Sequence, residues 1–141
     1  MAMTQQEVVD YWTDKAKEDL KAAKILYASK MHLHTGFMCQ QCIEKALKAY
    51  FVHSKDERHP RQHNVEILAD MTGLLDIVDD TQRQTLKNLV PLYLETRYED
   101  EKKIIAERLT RPYCKDLLSE SEVLFEWIIQ LMKSSGDTPK P

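Results

Sequence analysis

Leu117-Leu118-Ser119-Glu120-Ser121-Glu122-Val123-Leu124-Phe125-Glu126-Trp127-Ile128-Ile129-Gln130-Leu131-Met132 decides the fold class. Leu117, Ser121, Leu124, Ile128 and Leu131 recur at alternating spacings of four and three, and Leu118, Phe125, Ile129 and Met132 widen the stripe. That period belongs to an α-helix with one apolar face, and a strand would need a period of two. Pro112 suits the first turn of this helix, where a missing N–H costs nothing. A disordered tail is expected from Ser134 (SSGDTPKP).

The same pattern appears upstream. Thr4-Gln5-Gln6-Glu7 reads as a capping box, followed by Trp12, Ala16, Asp19, Ala23 and Leu26 on one face of a helix running to Lys30. Asp19 is expected on the wet edge of that stripe. A second helix is expected from a cap at Thr35-Gly36 to His53, with Ile43, Leu47, Tyr50 and Phe51 inward. Gln40, Gln41, Glu44, Lys45 and Lys48 gather on its other side or at the seam. The polar stretch Ser54–His63 is a loop. A short third helix, capped by Asn64, carries Val65, Ile67, Leu68 and Met71 and stops at Gly73. A fourth begins at Asp79-Asp80 and carries Leu86, Leu89, Val90 and Tyr93, with Pro91 set to kink or break it. Arg97 ends that stripe. Residues 99–110 make a short charged helix anchored by Ile104, Ile105 and Leu109.

Long amphipathic helices with short connections make an antiparallel all-α bundle of about five helices. Only 3 Gly and 5 Pro in 141 residues argue against a turn-rich β fold. One domain over 4–133 accounts for the length. The apolar stripe of the last helix is wide enough for its own core and a partner, so a homodimer is expected.

The net charge of −3 lacks the electrostatic footprint of a DNA-coating protein. No apolar run approaches the ~20 residues of a membrane span, and MAMTQQEVVDYW is no signal peptide. Free thiols at Cys39, Cys42 and Cys114 suit a reducing, cytoplasmic location. Cys39 and Cys42 form a CxxC, but Cys114 alone cannot complete a zinc site, and His32 and His34 do not supply a closed tetrahedral pattern. Two small residues packed between helices are expected there, with no metal and no resident cofactor.

Two stretches offer anion chemistry. Arg58-His59-Pro60-Arg61-Gln62-His63 places Arg or His at four of six positions. Arg can clamp a phosphate and His can shuttle a proton. Arg97-Tyr98-Glu99-Asp100 sets a cation at the end of a core stripe beside an aromatic ring, where Arg could hold a phosphate and Tyr stack on a base. An Arg–carboxylate pair closing the helix end is the alternative.

Trp12 with Ala16-Lys17-Glu18-Asp19-Leu20-Lys21-Ala22-Ala23 resembles the opening helix of HEPN domains. Phe37-Met38-Cys39-Gln40-Gln41-Cys42-Ile43-Glu44-Lys45-Ala46-Leu47-Lys48-Ala49 resembles their second, with Cys42 where Ala is usual. His63-Asn64-Val65-Glu66-Ile67-Leu68 and Tyr93-Leu94-Glu95-Thr96-Arg97-Tyr98 resemble two further elements, with Glu99 where Pro is usual. The resemblance covers residues 8–132 and implies a dimerising bundle with a polar cleft. It implies a minimal nucleotidyltransferase as partner, often in a toxin–antitoxin pair. Some HEPN proteins are metal-independent ribonucleases using Arg-x4–6-His. Here the positions after Arg97 are Lys102, Lys103 and Ile104, and none is His. Arg58 and His63 match the count but lie in the loop before the third helix. The expectation is therefore a protein that binds a nucleotide or phosphate, a binding module more than an enzyme, with catalysis left open. Arg97, Tyr98, Lys45, His63 and Glu44 would line its cleft, with Arg58, His59 and Arg61 as a second basic spot. The alternatives are a ribonuclease acting on RNA and a ligand-free dimeric scaffold.

Overall fold

The structure is a computed structural model and describes residues 2–137. Six α-helices follow in order: α1 (Gln5–Ala28), α2 (His32–Lys55), α3 (Val65–Met71), α4 (Asp80–Leu89), α5 (Glu99–Arg108) and α6 (Arg111–Asp137). The described residues contain no strand. Short 3₁₀ turns fill the joins at Leu74–Asp76, Val90–Leu92 and Leu94–Thr96. The Thr4 capping box is formed, its hydroxyl accepting from the Glu7 N–H at 3.1 Å while the Glu7 carboxylate accepts from the Thr4 N–H at 3.2 Å.

The central helix is α2, which touches every other α-helix of the chain and packs most extensively on α1 and α6. The three-residue link between α1 and α2 folds them back as an antiparallel pair. The core runs along this helix through Cys39, Ile43, Ala46, Leu47 and Ala49, and across to Leu117, Leu124 and Ile128 of α6. A helix enclosed on most of its circumference buries polar residues too, here Gln40, Glu44 and Lys48.

The start of α2 differs from expectation. Thr35 and Gly36 are not a cap but sit inside the first turns, and Met31 precedes the helix. The Thr35 hydroxyl donates back to the Met31 carbonyl at 2.9 Å. Gly36 is small for tertiary reasons: a Cβ there would lie 3.1 Å from Leu109 Cδ1 and 3.2 Å from Leu92 Cδ1. Gly73, at φ +83°, does end the α3 segment as expected.

Pro91 breaks the fourth helix. The α-helix closes at Leu89, and the chain steps through a 3₁₀ turn to an extended Tyr93. This break lifts Tyr93 out of the helical stripe and toward the loop before α3. At the C-terminus α6 runs through Asp137. Residues 138–141 lie outside the described residues. No described helix is long and apolar enough to cross a membrane.

All three cysteines are free and fully buried. Burial pushes the Cys39 thiol up to about 12 and raises Cys42 and Cys114 as well. A thiol reagent such as Ellman's is therefore expected to leave the native protein unlabelled over minutes. Its rate should rise in urea in step with unfolding. Full labelling on mixing in native buffer would contradict this packing.

Candidate functional site

Positions 40, 44 and 48 share one face of α2, each one helical turn from the next. Gln40 Nε2 donates to Glu44 Oε1 at 3.0 Å, and Lys48 Nζ donates to Glu44 Oε2 at 2.8 Å. Gln40 also donates to the His63 carbonyl at 2.9 Å and accepts from Gln41 at 2.7 Å. The Glu44 and Lys48 side chains are 5% and 8% exposed, so this is an ion pair taken almost entirely out of water.

The pair reaches solvent through His63, whose side chain is half exposed. Its Nδ1 lies 3.1 Å from both Glu44 oxygens. Gln40 and Lys48 already make Glu44 an acceptor, so the third bond places a proton on His63 Nδ1 and leaves Nε2 for an outside group. Two devices hold the imidazole in place. Gln62 Oε1 accepts from the His63 and Asn64 N–H groups at 3.1 and 3.0 Å, which sets the loop just ahead of the Asn64 cap of α3. The Tyr93 ring stacks on the imidazole with centroids 4.1 Å apart and planes 9° apart. Tyr93 in turn leans on Phe37 and donates to Glu95 at 2.9 Å. Burial, and then the Glu95 carboxylate, push the Tyr93 phenol up to about 12, so it stays protonated and acts as a donor rather than a base.

Lys48 also looks the other way. Its Nζ stands 5.6 Å from the centroid of the Trp12 ring. Trp12 stacks with Tyr11 at 5.4 Å and takes the edge of His59 at 4.8 Å and 85°. Burial lowers the His59 pKa, which keeps that imidazole neutral near pH 7.

The other predicted residues lie as follows. Lys45 pairs with Asp19 of α1. That carboxylate is only 13% exposed, so Asp19 is not on a wet edge, and burial raises its pKa although Lys45 opposes the shift. Arg97 Nη1 donates to Glu101 at 3.3 Å, while its Nε is buried with no hydrogen-bond partner. Tyr98 points outward at 77% exposure. Arg58 and Arg61 are exposed, and Arg58 lines a cavity with Trp12 and His59 rather than joining the Glu44 cluster. Of the five predicted cleft residues, the structure joins Glu44 and His63 directly. Gln40 and Lys48 complete the cluster, and their turn-by-turn spacing around Glu44 is visible in the sequence. The stacking of Tyr93 on His63 has no sequence signal. Among the described residues no group of three or more His, Cys, Asp or Glu could hold a metal ion.

A model of the HEPN domain family matches residues 9–132. Two crystal structures share the fold. One is ST0689, an archaeal HEPN homologue, with a TM-score of 0.69 and 21% identity over 88% of this chain and 97% of that one. The other is TT1696 from Thermus thermophilus, with a TM-score of 0.69 and 20% identity over 86% and 96%. Among curated proteins none matches the chain.

Proposed function

The chain belongs to the HEPN domain family, and from that premise we propose that it binds the phosphate of a nucleotide at the His63–Glu44–Lys48 cluster and works with a separate minimal nucleotidyltransferase. The observation that carries the phosphate site is a buried ion pair whose outlet to solvent is a single oriented imidazole. A buried salt bridge adds little stability over an apolar pair of similar volume, so stability alone gives no reason to keep it. It does fix the tautomer and direction of His63, as a carboxylate does for many working histidines. Nε2, once protonated, donates to a phosphate oxygen. Arg97, one 3₁₀ turn beyond Tyr93, pairs with Glu101 through Nη1 and is the second phosphate contact of this reading. The nucleotidyltransferase partner, with its toxin–antitoxin setting, follows from the family resemblance. So does a homodimer, for which the exposed Val123 on α6 offers apolar surface. Light scattering at twice the 16.5 kDa chain mass is the expected result for that dimer.

Calorimetric titration with ATP, GTP and AMP tests the site. Binding should weaken by about tenfold or more in His63→Ala and in Arg97→Ala, since a hydrogen bond to a charged group is worth about 1.5–3 kcal/mol. Silence at millimolar nucleotide, together with an Arg97→Ala protein that still holds its partner normally, would make the cleft assignment wrong. Single-stranded and structured RNA, incubated without metal, should stay intact. Cleavage lost in both variants would favour the ribonuclease reading instead.

A further inference from the structure

On the far side of Lys48 from Glu44 lies a cavity of about 320 Å³ between the start of α1 and residues 56–59. That volume is at the lower end of the ~300–1,000 Å³ of small-molecule sites. Trp12, Val8, Met3 and Val52 form its apolar walls, and His59 closes it edge-on to the indole. Gln5 ties α1 to the end of α2 by donating to the Val52 carbonyl at 3.0 Å, so one wall is held by both helices. The rim carries Asp56, Glu57 and Arg58, and no ion pair among the described residues engages any of them. Asp56 caps α2 in a left-handed conformation at φ 50°, which places it where the chain turns away from the helix.

These groups match one base. Guanine presents N1–H and an N2 amino group on one edge, which carboxylates accept, and O6 and N7 acceptors on another, which an Arg guanidinium binds as a fork. Adenine offers its donor at N6, beside N7, where Arg58 would meet it with like donors. We infer that this cavity is a guanine subsite, with the base against Trp12, the carboxylates of Asp56 and Glu57 on its donor edge and Arg58 on its acceptor edge. The inference rests on the phosphate site proposed above and extends it. Lys48 lies between the two, its Nζ 2.8 Å from Glu44 and 5.6 Å from the centroid of the Trp12 ring.

The chain has two tryptophans, Trp12 and Trp127. In Trp127→Phe protein, Trp12 is the sole tryptophan reporter, and GMP, AMP, guanosine and inorganic phosphate are the titrants, each run in parallel by calorimetry. GMP and guanosine should quench Trp12 saturably, with AMP about tenfold weaker than GMP. Asp56→Asn/Glu57→Gln should bring GMP and AMP to equal affinity. Calorimetric binding of phosphate or GMP with unchanged Trp12 fluorescence would overturn the guanine subsite and leave the phosphate site standing. So would AMP binding as tightly as GMP. Quenching by guanosine without any binding of phosphate would uphold the base cavity and overturn the phosphate site. No binding by any titrant would overturn both.

Discussion

Glu44→Ala is expected to destabilise the protein by about 3–5 kcal/mol, the range for removing one partner of a buried ion pair. Glu44 accepts from Gln40, Lys48 and His63. Its loss leaves the Lys48 ammonium at 8% exposure with the Trp12 ring as its remaining neighbour of opposite polarity. A cation–π contact is worth about 0.5–2 kcal/mol and does not replace a carboxylate. The substitution also removes the hydrogen-bond partner of the His63 ring, leaving the Tyr93 stack and the Gln40 bond to the His63 carbonyl to hold that end of the loop. Urea unfolding of Glu44→Ala beside Glu18→Ala checks this. Glu18 pairs with Lys15 at 3.6 Å in the open, with side chains 68% and 44% exposed, and such a pair contributes at most about 1 kcal/mol. Similar small losses for both variants would mean that Glu44 is wetter than its surroundings indicate. The double substitution Glu44→Leu/Lys48→Met should recover most of the stability, because apolar residues of similar volume replace a buried pair without penalty. The recovered protein should still bind no phosphate, which separates the pair's structural part from its functional one.

The second large effect is in the core. Ile128 is fully buried at the centre of the α6 stripe. Ile128→Ala should cost about 2–5 kcal/mol, combining lost transfer free energy with the cavity left behind. Ile104 on α5 is 53% exposed, and Ile104→Ala should stay within about 0.5 kcal/mol. Both are isoleucines on helices, so the contrast in urea midpoint reads burial rather than side-chain chemistry. Equal effects would contradict the placement of α6 against α2.

Those two residues also show what can be read from a linear chain. The alternating spacing of Leu117, Ser121, Leu124, Ile128 and Leu131 reports a helix and its inner face, because period and burial are local properties of one element. Cap residues are local as well, and Thr4, Asn64 and Asp79 each accept the hydrogen bond that opens a helix. Thr35-Gly36 misleads for the opposite reason. Gly36 answers to Leu92 and Leu109, residues distant in sequence, and the Thr35 hydroxyl bonds back to the Met31 carbonyl instead of capping a helix start. The site divides in the same way. Gln40, Glu44 and Lys48 form an i, i+4 series legible in sequence, but whether that face is wet depends on the loop laid over it by Gln40 and His63. The stacking of Tyr93 on His63 depends on how Pro91 ends α4, which fixes a direction that composition does not encode. Lys45 sits one residue from Glu44 and still turns to Asp19, since neighbours on a helix point about 100° apart.

The most direct test of the phosphate site is the nuclear magnetic resonance of the His63 imidazole during titration with GMP. If Glu44 holds Nδ1–H and Nε2 meets the phosphate, the His63 ring signals should move saturably while those of the distant His34 stay fixed, and Glu44→Leu/Lys48→Met should abolish the movement. A His63 ring that does not respond at millimolar GMP, in protein whose spectrum is otherwise that of the folded state, would contradict the assignment of this cluster as the phosphate site.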